Sequence, residues 1–344
     1  MKILHTADWH LGQTFYEYDR REEHFHFLEW LKQQIKQHEI DVLLIAGDVF
    51  DSPNPSAESQ RVYYRFLREV TSENPSLQIV IIAGNHDSAA RLEAPNPLLE
   101  DMNIIVRGTV RRNAEGDIDL QHFIVPLYTE GKVTAYCLAV PYLRQGDYPS
   151  AENYSKGVQQ LYEQLFNKVK EKGIPVVAMG HLQATGSEIS EDDRSERTVI
   201  GGLECVSPDA FNEAITYTAL GHLHRSQRVS HRENVRYSGT PMPMSFAEKN
   251  NASGVVMITI DTEGTNIEKL EFQPLAGLVS IPPEARPLEE VLQVIGELPD
   301  GDVTLRSPYL EIKILMTEPE PSYKYKIEAV SYTHLRAHET SAHL

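Results

Sequence analysis

Apolar positions in the first half of the chain alternate between two patterns. "IDVLLIAGD" (40–48) and "LQIVIIAGNHD" (77–87) are nearly unbroken apolar runs, as expected of strands buried on both faces. "RREEHFHFLEWLKQQIKQHE" (20–39) and "AESQRVYYRFLREVTS" (57–72) repeat at helical spacing, with Leu28, Leu31 and Ile35 on one face. With "KILHTAD" (2–8) as an opening strand, the order strand–helix–strand–helix–strand predicts a layered α/β fold.

The second half is richer in consecutive strands. After a predicted helix at "YSKGVQQLYEQLFNKVKEKG" (154–173), the runs "IPVVAMGHL", "ITYTALGHLH", "VRYSGTPMPMSF" and "SGVVMITID" all read as strands. The fold class expected is therefore α/β, a two-sheet sandwich flanked by helices, over residues 1–272. Beyond Phe272 the Pro-rich "QPLAGLVSIPPEARP" (273–287) reads as a linker. A helix at "LEEVLQVIGEL" and a strand at "YLEIKILM" then open a second, partial α/β domain, 273–329. The final "VSYTHLRAHETSAHL" (330–344) resembles translated adapter sequence and is set apart from the expected fold.

Composition narrows the function without naming it. The chain has 344 residues, 41% hydrophobic and 24% charged, the proportions of an ordinary globular protein. No apolar stretch approaches the ~20 residues of a membrane helix, and Asp8 breaks the short apolar N-terminal run. Two cysteines, Cys137 and Cys205, argue against a disulfide framework and suit a reducing cytoplasm. The net charge of −18 runs against the basic footprint of non-specific nucleic-acid binders. Either the substrate is small, or nucleic acid is held by metals, a local basic patch and a partner protein.

Polar residues gather where the apolar runs end. Asp8-Trp9-His10, Gly47-Asp48-Val49-Phe50-Asp51, Gly84-Asn85-His86-Asp87, Gly180-His181 and Gly221-His222-Leu223-His224 each follow a predicted strand. Glycine before the polar residue lets the backbone turn sharply and approach a crowded site, and the carboxyl ends of neighbouring strands share one crevice. In extended backbone His222 and His224 share a face. Asp8, His10, Asp48, Asn85, His181, His222 and His224 are the candidate metal ligands, and their N and O donors suit borderline divalent cations such as Mn, Fe or Zn. Seven ligands exceed the needs of one ion and fit two that share a carboxylate, an arrangement made for in-line phosphoryl chemistry.

This motif series resembles that of the calcineurin-like metallophosphoesterase superfamily: D-x-H, G-D-x-x-D, G-N-H-[DE], G-H and G-H-x-H. "ILHTADWHLGQTFY", "AGDVFDSPNPS", "AGNHDS" and "ALGHLHRSQ" narrow the resemblance to its bacterial DNA nucleases. It implies one metal on Asp8, His10, Asp48 and His224 and another on Asp48, Asn85, His181 and His222. His86 matches the family's catalytic histidine, and Asp51 the residue that orients it. The resemblance further implies manganese, water activated between two metals, and 3′ to 5′ duplex exonuclease with single-strand or hairpin endonuclease activity. DNA ends and hairpins would be substrates in repair and recombination. The partner would be an ATPase, joined by a homodimer of this chain, with no membrane. Residues 273–329 would begin a capping domain, and the region docking the ATPase would be missing.

Two other functions compete. A small-molecule phosphodiesterase or phosphatase could use the same metals, and the acidic balance favours it; a non-catalytic DNA-end scaffold could hold them structurally. Against a Ser/Thr phosphatase, Ser52 in "GDVFDSP" stands where such enzymes place a phosphate-clamping arginine. Arg107, Arg111 and Arg112, and Tyr16 and Tyr18, suit DNA contacts no better than surface or packing roles, and none is assigned.

Overall fold

The computed structural model describes residues 1–188, 205–298, 302, 304–316, 321–323, 325–327 and 336–343. Strands are numbered along the chain. β1 (Lys2–Thr6) precedes a short hairpin of β2 (Thr14–Phe15) and β3 (Tyr18–Asp19). Helix α1 (Arg21–His38), β4 (Val42–Ala46), helix α2 (Ala57–Glu73) and β5 (Gln78–Ile82) follow. Short α3 (Ala89–Glu93) and α4 (Asn96–Leu99) lead to β6 (Ile104–Arg107). A turn of helix, α5 (Leu120–Phe123), leads into β7 (Ile124–Thr129) and β8 (Lys132–Ala139), and α6 (Tyr154–Val169) into β9 (Val176–His181). The sandwich closes with β10 (Tyr217–Gly221), β11 (Gln227–Val229), β12 (Arg232–Tyr237), β13 (Gly254–Asp261) and β14 (Gly264–Glu271).

These strands form two six-stranded sheets, ordered β14-β13-β1-β4-β5-β6 and β11-β12-β10-β9-β8-β7. The near-continuous apolar runs are explained by burial on both faces. Val42, Leu44 and Ala46 of β4 meet Val177 and Met179 of β9 and Ala219 of β10 between the sheets. Leu43 and Ile45 point the other way, onto Phe27, Leu31 and Ile35 of α1 and Val62, Phe66 and Val70 of α2. On the far side, Val158, Leu161 and Leu165 of α6 cover Ala178 and Leu220 of the second sheet. The architecture is thus the expected helix–sheet–sheet–helix sandwich. Among the described residues no helix is long and apolar enough to cross a membrane.

Direction matters for function. β1 pairs in parallel with β4 and β4 with β5, while β9 pairs in parallel with β8 and β10. The carboxyl ends of these strands therefore collect at one edge of the sandwich.

A third sheet follows, of β15 (Leu278–Arg286), β16 (Tyr309–Met316) and β17 (Arg336–His343), with helix α7 (Leu288–Gly296) packed on it. Val291, Ile295, Ile312, Ile314, Met316 and Ile327 form its core. Two expectations are corrected here. The Pro-rich 273–287 is not a plain linker, since Leu278–Ile281 pair with Tyr309–Ile312. Pro282 and Pro283, which lack an N–H for the ladder, sit where the register breaks between Ile281 and Arg286. Nor does the segment set apart at 330–344 lie wholly outside the fold, because Arg336–His343 pair in parallel with β16. The third sheet meets the sandwich through Tyr309, which packs with Phe15 and Phe246 and donates to Glu23 Oε1 at 2.5 Å.

Candidate metal centre

Each candidate ligand stands just beyond or at the end of a parallel strand, and four of the seven are held there by unusual backbone. Asp8, His10, Asp48 and His222 have φ of 55°, 46°, 49° and 100°, a left-handed region costing roughly 1–3 kcal/mol each for residues with side chains. The loops are locked together: Asp8 N–H donates to Gly47 O and His10 N–H to Asp48 O, both at 3.0 Å. Gly47, at φ 92°, lies so close to His181 that a Cβ there would sit 2.2 Å from its Nδ1. At Gly84 a Cβ would lie 2.1 Å from Asp48 Oδ1. These are the close approaches that the glycines of the motifs foretold.

All seven predicted ligands converge, though not by the route expected for one pair. His222 and His224 do not share a strand face, because β10 ends at Gly221 and His222 turns left-handed. His222 instead joins His181, their ring centroids 5.3 Å apart, and His224 joins His10 at 5.2 Å. Asn85 Oδ1 lies 2.9 Å from His181 Nε2 and 3.0 Å from His222 Nδ1. Asp48 Oδ2 is 3.2 Å from His181 Nε2 and 3.9 Å from His10 Nε2, so this one carboxylate faces both histidine pairs. Donor atoms of Asp8, His10 and His224 lie within 4.8 Å of one another, as do those of Asp8, Asp48 and His181.

The other nitrogen of two histidines is fixed from behind. His181 Nδ1 donates to Ala46 O and His224 Nδ1 to the Glu248 carboxylate, both at 2.8 Å. Each bond sets the tautomer that leaves Nε2 as a lone-pair donor toward the cluster. Glu248 is fully buried. Burial alone would raise its carboxyl, but His224 holds it below the usual range.

Electrostatics point to a cation. Burial alone would raise the Asp48 carboxyl, yet the His181 and His10 imidazoles hold it well below the carboxylate range. Burial also lowers His181, but Asp48 outweighs it and pushes the imidazole up to about 9. At Asp8 desolvation wins, and its carboxyl is raised. Asp8 Oδ2 and His10 Nε2 are buried without a hydrogen-bond partner among the described residues. Buried polar atoms normally have partners, and a divalent cation on this N/O set would supply them. The residues fit a divalent metal site.

His86 and Asp51 differ in detail from expectation. His86 N–H donates to Asp48 Oδ1 at 2.8 Å, and its ring stands edge-on to His10 with centroids 4.8 Å apart. A ring nitrogen also comes within 4.8 Å of donor atoms of His10 and Asp48. His86 Nδ1 donates to the Asp51 main-chain carbonyl at 3.0 Å, whereas the Asp51 carboxylate lies 3.4 Å from His10 Nδ1. Asp51 thus reaches His86 through its main-chain carbonyl, and its carboxylate stands beside His10.

Two residues escaped the sequence reading. Glu248 lies in no motif, and no local signal marks it. Asp87 ends the quoted Gly84-Asn85-His86-Asp87 motif, which was its signal. Its buried carboxylate accepts from Gly84 N–H at 2.9 Å, Phe50 N–H at 3.0 Å and Val49 N–H at 3.2 Å. It ties the Asn85 loop to the Asp48 loop. Burial and the neighbouring Asp48 charge push its pKa up to about 6, against those N–H donors.

A two-sheet α/β sandwich with a buried Asp/His/Asn cation site at the carboxyl ends of its parallel strands defines a metal-dependent phosphoesterase. The model of the calcineurin-like phosphoesterase family matches residues 1–226. The chain belongs to this family, in its SbcD nuclease branch. It is similar to the SbcD component of the SbcCD nuclease of Rhodobacter capsulatus, 37% identical over 93% of this chain and 81% of that protein. Against the SbcD component of Escherichia coli K12 it is 30% identical over 96% of this chain and 82% of that protein. For that of Bacillus subtilis the figures are 30%, 75% and 66%.

Proposed function

We propose that the chain is a DNA nuclease that hydrolyses phosphodiesters with two divalent cations, Mn2+ in the cell. The observation that carries this reading is the division of the histidines into two pairs, His10 with His224 and His181 with His222, on either side of Asp48. Asp8, His10, Asp48 and His224 would hold one cation. Asp48, Asn85, His181 and His222 would hold the other. Bound there, the cations would supply Lewis acidity, lowering the pKa of water and neutralising phosphoryl oxygens.

The chain's own residues do the rest. Held through Nδ1 by the Asp51 carbonyl, the His86 ring, as the doubly protonated imidazolium, gives its Nε2 proton to the departing sugar oxygen as that oxygen's bond to phosphorus breaks. The new bond to water oxygen forms on the opposite side as that water gives up a proton to solvent, and inversion at phosphorus follows. Ala46 O and Glu248 keep His181 and His224 in the ligating tautomer. Asp87 keeps the loops carrying Asn85 and Asp48 in register.

The relatives are components of a nuclease named SbcCD, which supports DNA as substrate and an SbcC-type ATPase as partner, with two copies of this chain in a heterotetramer in the cytoplasm. Duplex ends would be trimmed 3′ to 5′, and single strands and hairpins cut internally. Residues 273–329 would begin a capping domain beside the β2–β3 hairpin, where Tyr309 docks. The −18 charge favours the rival reading of a small-substrate phosphodiesterase or phosphatase. One assay decides: purified protein with Mn2+ is given end-labelled duplex, a hairpin, bis-p-nitrophenyl phosphate and p-nitrophenyl phosphate. Cleavage of DNA and of the diester is expected. Hydrolysis of the monoester with intact DNA would establish the rival.

A further inference from the structure

The loop that leaves β8 passes the cluster on the side of His181. Tyr142 N–H donates to Ala83 O, just before the Gly84-Asn85 loop, at 2.8 Å. The half-buried Tyr142 ring stands edge-on to His181 with centroids 6.2 Å apart. Two residues on, the exposed Arg144 lays its guanidinium over that ring, 5.6 Å from the centroid. A small turn fixes it there: Arg144 N–H donates to Asp147 Oδ2 at 2.8 Å, and Asp147 N–H returns to Arg144 O at 3.0 Å.

Arg144, like Arg112 beside it, forms no ion pair among the described residues, although the chain is strongly acidic and most of its arginines are paired. Arg111 is paired with Glu93, Arg225 with Glu188, and Arg228 and Arg236 with Glu233. The Arg144 guanidinium meets no carboxylate within ion-pair distance among the described residues, and the Tyr142 ring is its partner. Stacking on an aromatic face orients a guanidinium while leaving its edge donors available for bidentate contact. Immediately beyond lies an open groove of about 710 Å3, lined by Arg112, Gln145, Gly146, Tyr148 and one carboxylate, Asp117. Arg112 is anchored there on Gly146 O and, at 2.6 Å, on Gly116 O.

We propose that Arg144, oriented by Tyr142, binds a backbone phosphate of the nucleic-acid strand next to the scissile one, and that the groove past Gln145 carries the strand away from the metals. The inference rests on the nuclease reading above. The Tyr142 and His181 ring centroids are 6.2 Å apart and the guanidinium lies 5.6 Å from the tyrosine centroid, so its reach extends to at most about three nucleotides at ~3.4 Å of axial rise each. A phosphate next to the reacting one is the group assigned to it. Such a contact positions the strand and carries no sequence preference.

The test compares wild type with Arg144→Ala, Arg144→Lys and Tyr142→Phe on single-stranded or hairpin DNA and on bis-p-nitrophenyl phosphate, which has no flanking phosphate. Arg144→Ala is expected to raise KM for DNA about five- to tenfold with a smaller change in kcat. Its loss on DNA should exceed its loss on the small diester by about fivefold. The slope of log Kd for DNA against log salt should shrink by about one, and Arg144→Lys should restore that slope in part, whereas Tyr142→Phe, which keeps the ring under Arg144, should retain most of the affinity. Equal losses on both substrates would put Arg144 at the reacting phosphate or in folding and overturn the proposal, as would an unchanged salt slope. Wild-type protein that cleaves the small diester but neither binds nor cuts DNA would instead refute the nuclease reading beneath it.

Discussion

His86 and Glu248 each touch the metal centre through a histidine nitrogen, yet their removal should read out differently. His86 is held by the Asp51 carbonyl and its own N–H to Asp48, and its assigned duty is proton transfer. Replacing it with Ala should cut turnover by about 10²- to 10⁴-fold with metal content near that of wild type. Glu248 sits behind His224, so Glu248→Gln should weaken cation binding about tenfold or more and recover activity at high metal concentration. Metal analysis by mass spectrometry, with a chelator competition, separates the two. Loss of both metals from His86→Ala would show that the residue ligates. The candidate ligands were legible in the sequence because Asp, Asn and His at strand ends, four of the seven directly after glycine, have few other uses in such numbers. Glu248 was not, since nothing near it in the chain indicates that its carboxylate folds back onto His224.

At the level of elements, the strand ends work as a set of tight turns whose spacing tolerates no extra atoms. A Cβ at Gly84 would fall 2.1 Å from Asp48 Oδ1 and 2.4 Å from Asp48 N, pushing apart the loops that Asp87 ties together. Gly84→Ala should therefore lose metal and about a hundredfold in activity, as misplacement by about 1 Å can cost, while its circular dichroism stays native. Gly277→Ala, with nothing within 4 Å, serves as the control and should match wild type in metal content. If the two variants behaved alike, close packing at Gly84 would have no functional weight. The central strands and long helices were readable from period, down to the inward and outward alternation of β4, whereas "VRYSGTPMPMSF", read as a strand, leaves β12 at Tyr237 and β14 (Gly264–Glu271) carried no readable alternation. The strand β15 was hidden by its prolines, which signal a break only until a partner such as β16 is known.

For the whole molecule, the packing of one sheet on the other carries a pH-dependent bond. His5 of the first sheet contacts Tyr217 Oη of the second through Nδ1 at 2.8 Å, with both side chains fully buried. Burial pushes the His5 imidazole down to about 3, whereas in the unfolded chain it titrates near 6.5. The unfolded chain therefore binds the proton first as pH falls. The contribution of His5 to stability is complete above pH 6.5 and declines toward pH 3, with a loss of about 2 kcal/mol by pH 5. Denaturant unfolding at pH 7 and pH 5 should show wild type losing about 2 kcal/mol more than His5→Gln, which keeps a polar partner for Tyr217 but does not titrate. Equal losses would mean that His5 is already protonated in the folded chain.

The sequence by itself determined the layered α/β order and the double-sided burial of the central strands, and it singled out the seven side chains proposed here as ligands. Each of these follows from local properties: apolar period, glycine at strand ends and the donor chemistry of single side chains. Tertiary structure alone decided which histidines stand together, that Asp51 meets His86 through its carbonyl, that Glu248 fixes His224, and that Arg144 rests on a tyrosine beside the cluster. Those contacts join residues far apart in the chain, and their formation depends on how two sheets pack and where their loops cross. Local periodicity records whether a residue is buried; it holds no information about which distant atom it is buried against.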